Sequence, residues 1–220
     1  MYALDSRGHG KSGRVPNSYR YLDYAGDVIA FIQRVVKKPA IVFGHSLGAM
    51  VTIAVAGQAT RNVQASIVED PPLYTAGGRG PDPARLKRFE LYRDLIRAAR
   101  PQADMVREFK AVLPGENAAA LRFRAKSVSQ LDPDVMTFAI EGRSRAGYDL
   151  DALMRGIKCP VLLLQGNPSL GGVMGDAEAQ HALSLIQDCA LVRVDDCGHE
   201  IHVDRPVETL RAVTHFLQSL

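Results

Sequence analysis

The sequence feature that most constrains this fold is the pentapeptide GHSLG at residues 44–48. Residues 39–43 before it are apolar and rich in β-formers, and residues 47–59 have the small-residue, apolar pattern of a buried helix. A serine between a strand and a helix, with a glycine two positions away on each side, predicts a tight turn that raises the hydroxyl above the sheet. Ser46 is therefore a candidate nucleophile, and the alternative is an inert serine in an ordinary strand–turn–helix joint.

Strand and helix patterns alternate around this turn. Short β-forming segments lie at residues 1–5, 39–43, 65–69, 159–166 and 190–194. The first of them is interpreted as the end of a strand. Helical spacing of apolar residues is found at 18–36, 47–59, 176–186 and 204–220. This alternation predicts an α/β fold, a mostly parallel sheet flanked by helices and connected by right-handed crossovers.

One stretch of the chain interrupts the alternation. Residues 84–147 have only helix and loop patterns, with four amphipathic segments, and a Gly/Pro-rich linker at 76–83 comes before them. We therefore predict a discontinuous core formed by residues 1–75 and 148–220, with an all-helical insertion at 76–147 that serves as a cap.

Composition narrows the function classes. The 220 residues carry a formal net charge of +3, a small and dispersed excess that does not indicate nucleic-acid or membrane partners. Three cysteines without a framework spacing favour a reducing compartment. We find neither a transmembrane span nor a signal peptide, so a cytoplasmic protein is expected. No metal-ligand spacing, phosphate loop or dinucleotide fingerprint is found, so neither a metal nor a cofactor is predicted.

A serine hydroxyl attacks efficiently only when a base removes its proton. His199 is the leading base because it lies in the loop after the last predicted strand, at the edge where parallel sheets bind ligands. An acid must orient the histidine, and three residues compete for this role. Asp70, at the end of the strand after the GHSLG turn, is the first choice and Asp176 the second. Glu69 is the third, since strand alternation points it away from Asp70.

Other residues are expected to complete the site. The backbone N–H of Leu47, at the start of the helix after the turn, is a candidate oxyanion donor. Three residues are candidates for contact with a small-molecule substrate: His45 within the turn, His9 in the glycine-rich loop 6–17, and Leu73 after the acid. His45 is expected to pack rather than react.

Three motifs carry a resemblance to a known family. Residues 4–12 resemble the D-x-R-G-H-G-x-S loop that follows the fourth strand of the α/β-hydrolase superfamily. Residues 44–48 resemble its nucleophile elbow, and residues 198–199 resemble its catalytic-histidine loop. The resemblance extends over nearly the whole chain. It implies a Ser–acid–His hydrolase with a helical cap that acts on small carboxylic esters or related acyl compounds.

The chain departs from the family pattern in two places. Asn167 and Ser169 stand where the family usually places its acid, after the seventh strand, whereas a family variant carries the acid after the sixth strand, where Asp70 falls. Relative to the family, the chain begins inside the fourth strand, so we expect a truncated core that lacks the first strands and the second oxyanion loop. An uncovered central strand would favour a homo-oligomer. The alternative function is a weakly active or non-catalytic protein that binds a ligand or a partner.

Overall fold

Four parallel strands form the sheet of this protein, whose computed structural model describes residues 1–74 and 83–220. The linker predicted at 76–83, apart from Pro83, lies outside the described residues. The strands are β1 (Ala40–His45), β2 (Val63–Glu69), β3 (Val161–Gly166) and β4 (Cys189–Val194), and they pair in the order β1-β2-β3-β4. The predicted α/β class and parallel sheet are confirmed.

Helices occupy most of the remaining described chain. Listed in chain order, they are α1 (Tyr21–Phe31), α2 (Leu47–Gln58), α3 (Pro83–Arg97), α4 (Gln102–Val112), α5 (Ala118–Ser129), α6 (Pro133–Ile140), α7 (Leu150–Gly156), α8 (Asp176–Leu185), α9 (Ile201–Asp204) and α10 (Pro206–Gln218). In residues 1–74 and 83–220, none of the helices combines the length and the apolar character that a membrane span requires.

The predicted strand at residues 1–5 is wrong, because this segment is irregular. Its polar groups serve the following loop instead. The Asp5 carboxylate accepts a hydrogen bond from the backbone N–H of Lys11 at 2.9 Å, and the Ser12 hydroxyl donates to the Asp5 carbonyl at 2.6 Å. A short β-forming segment becomes a strand only when a partner strand forms hydrogen bonds with its backbone N–H and C=O groups. Here the segment forms hydrogen bonds with the following loop instead.

The described residues divide into two units. The first unit contains residues 1–24 together with the helices α3 to α6, and the second contains residues 25–74 and 147–220. Residues 1–24 thus group with the helices rather than with the sheet. Two hydrogen bonds explain this: Tyr19 donates its hydroxyl proton to Asp132 at 2.7 Å, and the Asp132 N–H donates to the Gly8 carbonyl at 2.7 Å.

Helices α3 to α6 have a core of their own. Its buried side chains include Tyr92, Met105, Phe109, Leu121 and Val128. Side-chain caps fix where two of the helices begin, since Asn117 accepts from the first turn of α5 and Asp132 from that of α6. Four helices are therefore present where the sequence predicted four amphipathic segments.

The core of the second unit lies around the two central strands. Every residue of β3 is buried, which suits the unbroken apolar run at residues 161–164, and α2 is buried from Ala49 to Ala56. The register aligns His45 with Glu69 and Glu69 with Leu164. The carboxyl ends of β1, β2 and β3 therefore meet at one edge of the sheet, and this edge carries the candidate site.

Candidate active site

Ser46 occupies the tight turn between β1 and α2. Its backbone has φ 54° and ψ −113°, a conformation that side chains disfavour and that often marks a functional residue. Its N–H donates to the Glu69 carbonyl at 3.0 Å, which ties the turn to β2. A Cβ at Gly44 would collide with the carbonyl of Gly48, so only glycine at position 44 allows the start of α2 to pass this close to the end of β1.

His199 lies in the loop after β4. This loop is fastened to the end of β3, because Asn167 donates its backbone N–H to the Cys197 carbonyl at 2.8 Å and its side-chain amide to the Asp195 carbonyl at 2.7 Å. A Cβ at Gly166 would collide with the carbonyl of Gly198. Asn167, where the family usually has its acid, is thus used to hold the histidine loop.

Asp70 follows β2 directly and is fully buried, with a positive φ of 39°. Its carboxylate lies 2.7 Å from Nδ1 of His199. It also accepts the backbone N–H of Val173 at 2.9 Å, of Met174 at 3.3 Å and of Gly166 at 3.4 Å. These donors compensate for the loss of water around a buried negative charge and fix the carboxylate toward the histidine.

The structure brings Ser46, His199 and Asp70 into one hydrogen-bonded chain. His199 Nδ1 lies 2.7 Å from Asp70, and its Nε2 lies 2.8 Å from Ser46 Oγ. A carboxylate only accepts, so Nδ1 carries the proton and Nε2 is left to accept from the serine hydroxyl. Chemically, this arrangement suits removal of the serine proton during attack on an electrophile.

The two other acid candidates point elsewhere. Asp176 begins α8, where it accepts from Gln165 at 2.8 Å and from Arg193 at 2.9 Å. It lines a cleft of about 740 Å³ whose lining includes neither Ser46 nor His199. The geometry therefore favours Asp70 over Asp176. The Glu69 carboxylate contacts His202, whereas that of Asp70 contacts His199.

The remaining predicted site residues lie in different surroundings. Leu47 is the first residue of α2, so its N–H lies at the positive end of the helix dipole. His45 packs its ring 4.5 Å from that of His199, and Leu73 is completely buried. His9 belongs to the first unit, where its Nδ1 donates to the Arg7 carbonyl at 2.9 Å. Contact of any of them with a substrate stays a prediction.

Burial and the neighbouring His199 favour the neutral form of the His45 imidazole. Burial lowers the pKa of His45, and repulsion by His199 lowers that pKa further. Its Nε2 lies 2.8 Å from the His199 carbonyl oxygen, which only accepts, so this nitrogen carries the proton. His45 is thus a hydrogen-bond donor to the backbone of the proposed base.

Sequence reasoning missed two groups of contacts around the site. The amides of Val173 and Met174 come from a glycine-containing loop whose path the sequence does not reveal. His202 belongs to none of the sequence motifs, and its pairing with Glu69 is visible only once the chain is folded. The one available signal was the adjacency of two carboxylates, Glu69 and Asp70, at the end of an apolar strand. Within residues 1–74 and 83–220, no group of three or more His, Cys, Asp or Glu side chains is placed to hold a metal ion.

Comparison with known proteins places this geometry in context. A family model described as "Alpha/beta hydrolase family" matches residues 1–213. The chain is 26% identical over 227 residues to 2-(acetamidomethylene)succinate hydrolase of Mesorhizobium japonicum, covering 99% of this chain and 78% of that protein. It is 29% identical over 210 residues to N-formylmaleamate deformylase of Pseudomonas putida, covering 92% of this chain and 73% of that protein.

Solved structures give the same picture of the fold. A crystal structure of N-formylmaleamic acid deformylase from Pseudomonas putida superimposes with a TM-score of 0.78 at 22% identity, covering 94% of this chain and 78% of that one. The crystal structure of E-2-(acetamidomethylene)succinate hydrolase gives a TM-score of 0.73 at 23% identity, covering 97% and 79%. The α/β-hydrolase fold expected from the sequence is confirmed, and the two sequence relatives are hydrolases, which supports hydrolase activity.

Proposed function

The chain belongs to the alpha/beta hydrolase family, and from that premise we propose that it hydrolyses a small acyl compound through Ser46, His199 and Asp70. The observation that carries this proposal is the continuous hydrogen-bond chain from the serine hydroxyl through the imidazole to a buried carboxylate. The positive φ of both Ser46 and Asp70 supports it, since strained backbone persists where the surrounding structure holds it for function.

The first half of the reaction forms an acyl-enzyme. Ser46 Oγ attacks the acyl carbon while its proton passes to Nε2 of His199. The carbonyl oxygen becomes negatively charged and accepts a hydrogen bond from the N–H of Leu47. When the tetrahedral intermediate collapses, the bond to the leaving group breaks and His199 returns the proton to the departing oxygen or nitrogen.

The second half releases the acid. A water molecule gives a proton to His199 and attacks the acyl carbon, and the ester bond to Ser46 then breaks as the serine recovers its proton. Throughout, the Asp70 carboxylate holds Nδ1–H and stabilises the imidazolium that forms in each half. The acid released and the alcohol or amine together contain the atoms of the substrate plus one water.

The proposed substrates are the class expected from the sequence, small carboxylic esters or related acyl compounds, and the related compounds include N-acyl compounds. The two sequence relatives are named for an acetamido compound and for an N-formyl compound. Cleavage of an amide needs protonation of the leaving nitrogen, which the His199 imidazolium supplies in the same way as for an alcohol. We therefore include N-acyl compounds with esters, and the role of α3 to α6 as a cap that selects among them stays a prediction.

A substrate panel tests the proposed function. We expect the purified chain to turn over at least one member of a set containing p-nitrophenyl acetate, p-nitrophenyl butyrate, N-formylmaleamate and 2-(acetamidomethylene)succinate. Product release is followed by absorbance for the nitrophenyl esters and by chromatography for the two N-acyl acids. Hydrolysis that disappears in Ser46→Ala supports the proposal. Failure of the folded wild-type chain to turn over any member contradicts it and favours the non-catalytic alternative.

A further inference from the structure

Glu69 is a buried acid that the proposed reaction does not use. It is completely buried at the end of β2, next to Asp70. One carboxylate oxygen, Oε1, accepts both the backbone N–H of His202 at 2.9 Å and its Nδ1–H at 2.8 Å. The other, Oε2, is buried without a hydrogen-bond partner among the described residues. Burial of a carboxylate costs free energy, and the cost is greater when one of its oxygens has no hydrogen-bond donor.

The contact of Glu69 fixes the chain just after the proposed base. His202 is the second residue of the short helix α9 and lies three positions beyond His199. With its main-chain N–H and its ring both bound to one buried oxygen, the start of α9 is attached to the end of β2. The histidine loop is therefore restrained on its C-terminal side.

His45 restrains the same loop at His199, the proposed base. Its Nε2–H donates to the main-chain carbonyl of His199 at 2.8 Å. Its ring lies between two others, with its centroid 4.5 Å from that of His199 and 5.1 Å from that of His202. The loop thus accepts a hydrogen bond from the end of β1 and donates two to the end of β2. His45 and Glu69 are partners in the register of these two strands.

We propose that Glu69, His45 and His202 form a bracket that positions the His199 ring between Ser46 and Asp70. Each strand end contributes two neighbouring residues. β1 ends at His45 and is followed by Ser46, and β2 ends at Glu69 and is followed by Asp70. One of each pair belongs to the proposed reaction. Of the other two, His45 holds the main-chain carbonyl of His199, and Glu69 holds the main-chain N–H of His202, three positions beyond it. The catalytic consequence rests on the proposed function, but the positioning itself does not. These three are positioning residues, since they act through His199.

Nuclear magnetic resonance of histidine-labelled protein tests the bracket directly. The Nδ1 proton of His199, held by Asp70, is expected as a downfield signal that is assigned by its loss in His199→Ala. We expect Glu69→Gln and His202→Ala to broaden or abolish this signal through exchange with water. Matched controls are Ser66→Ala, a buried change on the same strand, and His215→Ala on α10, and both should leave the signal in place.

The His45 position offers an independent pair of variants. His45→Gln places an amide N–H at about the reach of Nε2 and should retain the signal, whereas His45→Phe keeps a flat ring without the donor and should lose it. This pair decides the matter if Glu69→Gln does not fold, as judged by circular dichroism. In turnover, we expect Glu69→Gln and His45→Phe to lower kcat roughly 10- to 100-fold with KM nearly unchanged, because a misplaced base slows chemistry more than binding.

The outcomes separate the two proposals. An unchanged His199 signal in folded Glu69→Gln, His202→Ala and His45→Phe overturns the bracket, even if the wild-type chain is an active hydrolase. Loss of the signal in these variants, with retention in His45→Gln and both controls, supports the bracket even if no substrate is turned over, since the resonance reports where the ring lies and not what it does.

Discussion

Ser46→Ala is expected to lower kcat/KM by about 10⁶-fold on whichever substrate the chain hydrolyses. The change removes the only oxygen that lies 2.8 Å from Nε2 of His199 in the described site. Alanine keeps the Cβ and hence the strained turn, so binding and folding should be preserved. Steady-state kinetics with matched circular dichroism spectra measures the effect.

The control and the double variant sharpen this first prediction. Ser169→Ala changes another serine that follows a strand of the same sheet but is exposed, and it should retain wild-type turnover. Ser46→Ala combined with His199→Ala should be no slower than Ser46→Ala alone, because groups that act as a unit are strongly non-additive. A folded Ser46→Ala protein that keeps a tenth of the wild-type rate would show that another group attacks the substrate.

Asp70→Asn is expected to lower kcat about 10⁴-fold with a smaller effect on KM. The Asp70 carboxylate accepts the Nδ1 proton of His199 at 2.7 Å. An amide there either presents its NH₂ group, which favours the wrong tautomer of the imidazole, or presents a neutral oxygen that stabilises the imidazolium less. Kinetics over a range of pH, together with a thermal melt, measures the loss.

Asp176→Asn is the matched control for the acid. Both changes neutralise a carboxylate, but Asp176 is bound by Gln165 and Arg193 and does not contact His199. We expect Asp176→Asn to change kcat by no more than a few-fold. A large loss in Asp176→Asn together with a small loss in Asp70→Asn would reverse the assignment that the geometry favours.

The parts of the site that the sequence predicted are those with local signatures. The turn at Ser46 is predicted by a strand, a glycine pattern and a helix that are contiguous in the chain. All of the residues that determine its conformation therefore lie close together in the sequence. His199 follows from the rule that loops after parallel strands meet at one edge. Asp70 needed one further step, the inference that the strand after the elbow helix is a neighbour of the elbow strand, and the register of β1 and β2 agrees with that step.

The parts that the sequence did not reveal depend on contacts between distant residues. Residues 1–5 have β-forming composition, yet whether they pair is decided by a partner that lies elsewhere in the chain. The amides of Val173 and Met174 reach Asp70 across about a hundred positions of sequence. The pairing of Glu69 with His202 likewise joins distant residues, and neither residue type predicts it.

Covalent labelling of the chain with a fluorophosphonate, followed by peptide mass spectrometry, tests the central claim most directly. The reagent loses fluoride as an activated serine oxygen attacks phosphorus, so it reports the nucleophile without knowledge of the substrate. We expect one adduct per chain on the peptide that contains Ser46, with labelling slowed in both His199→Ala and Asp70→Asn. No adduct on the folded wild-type chain, or an adduct on another residue that persists in Ser46→Ala, would contradict the account.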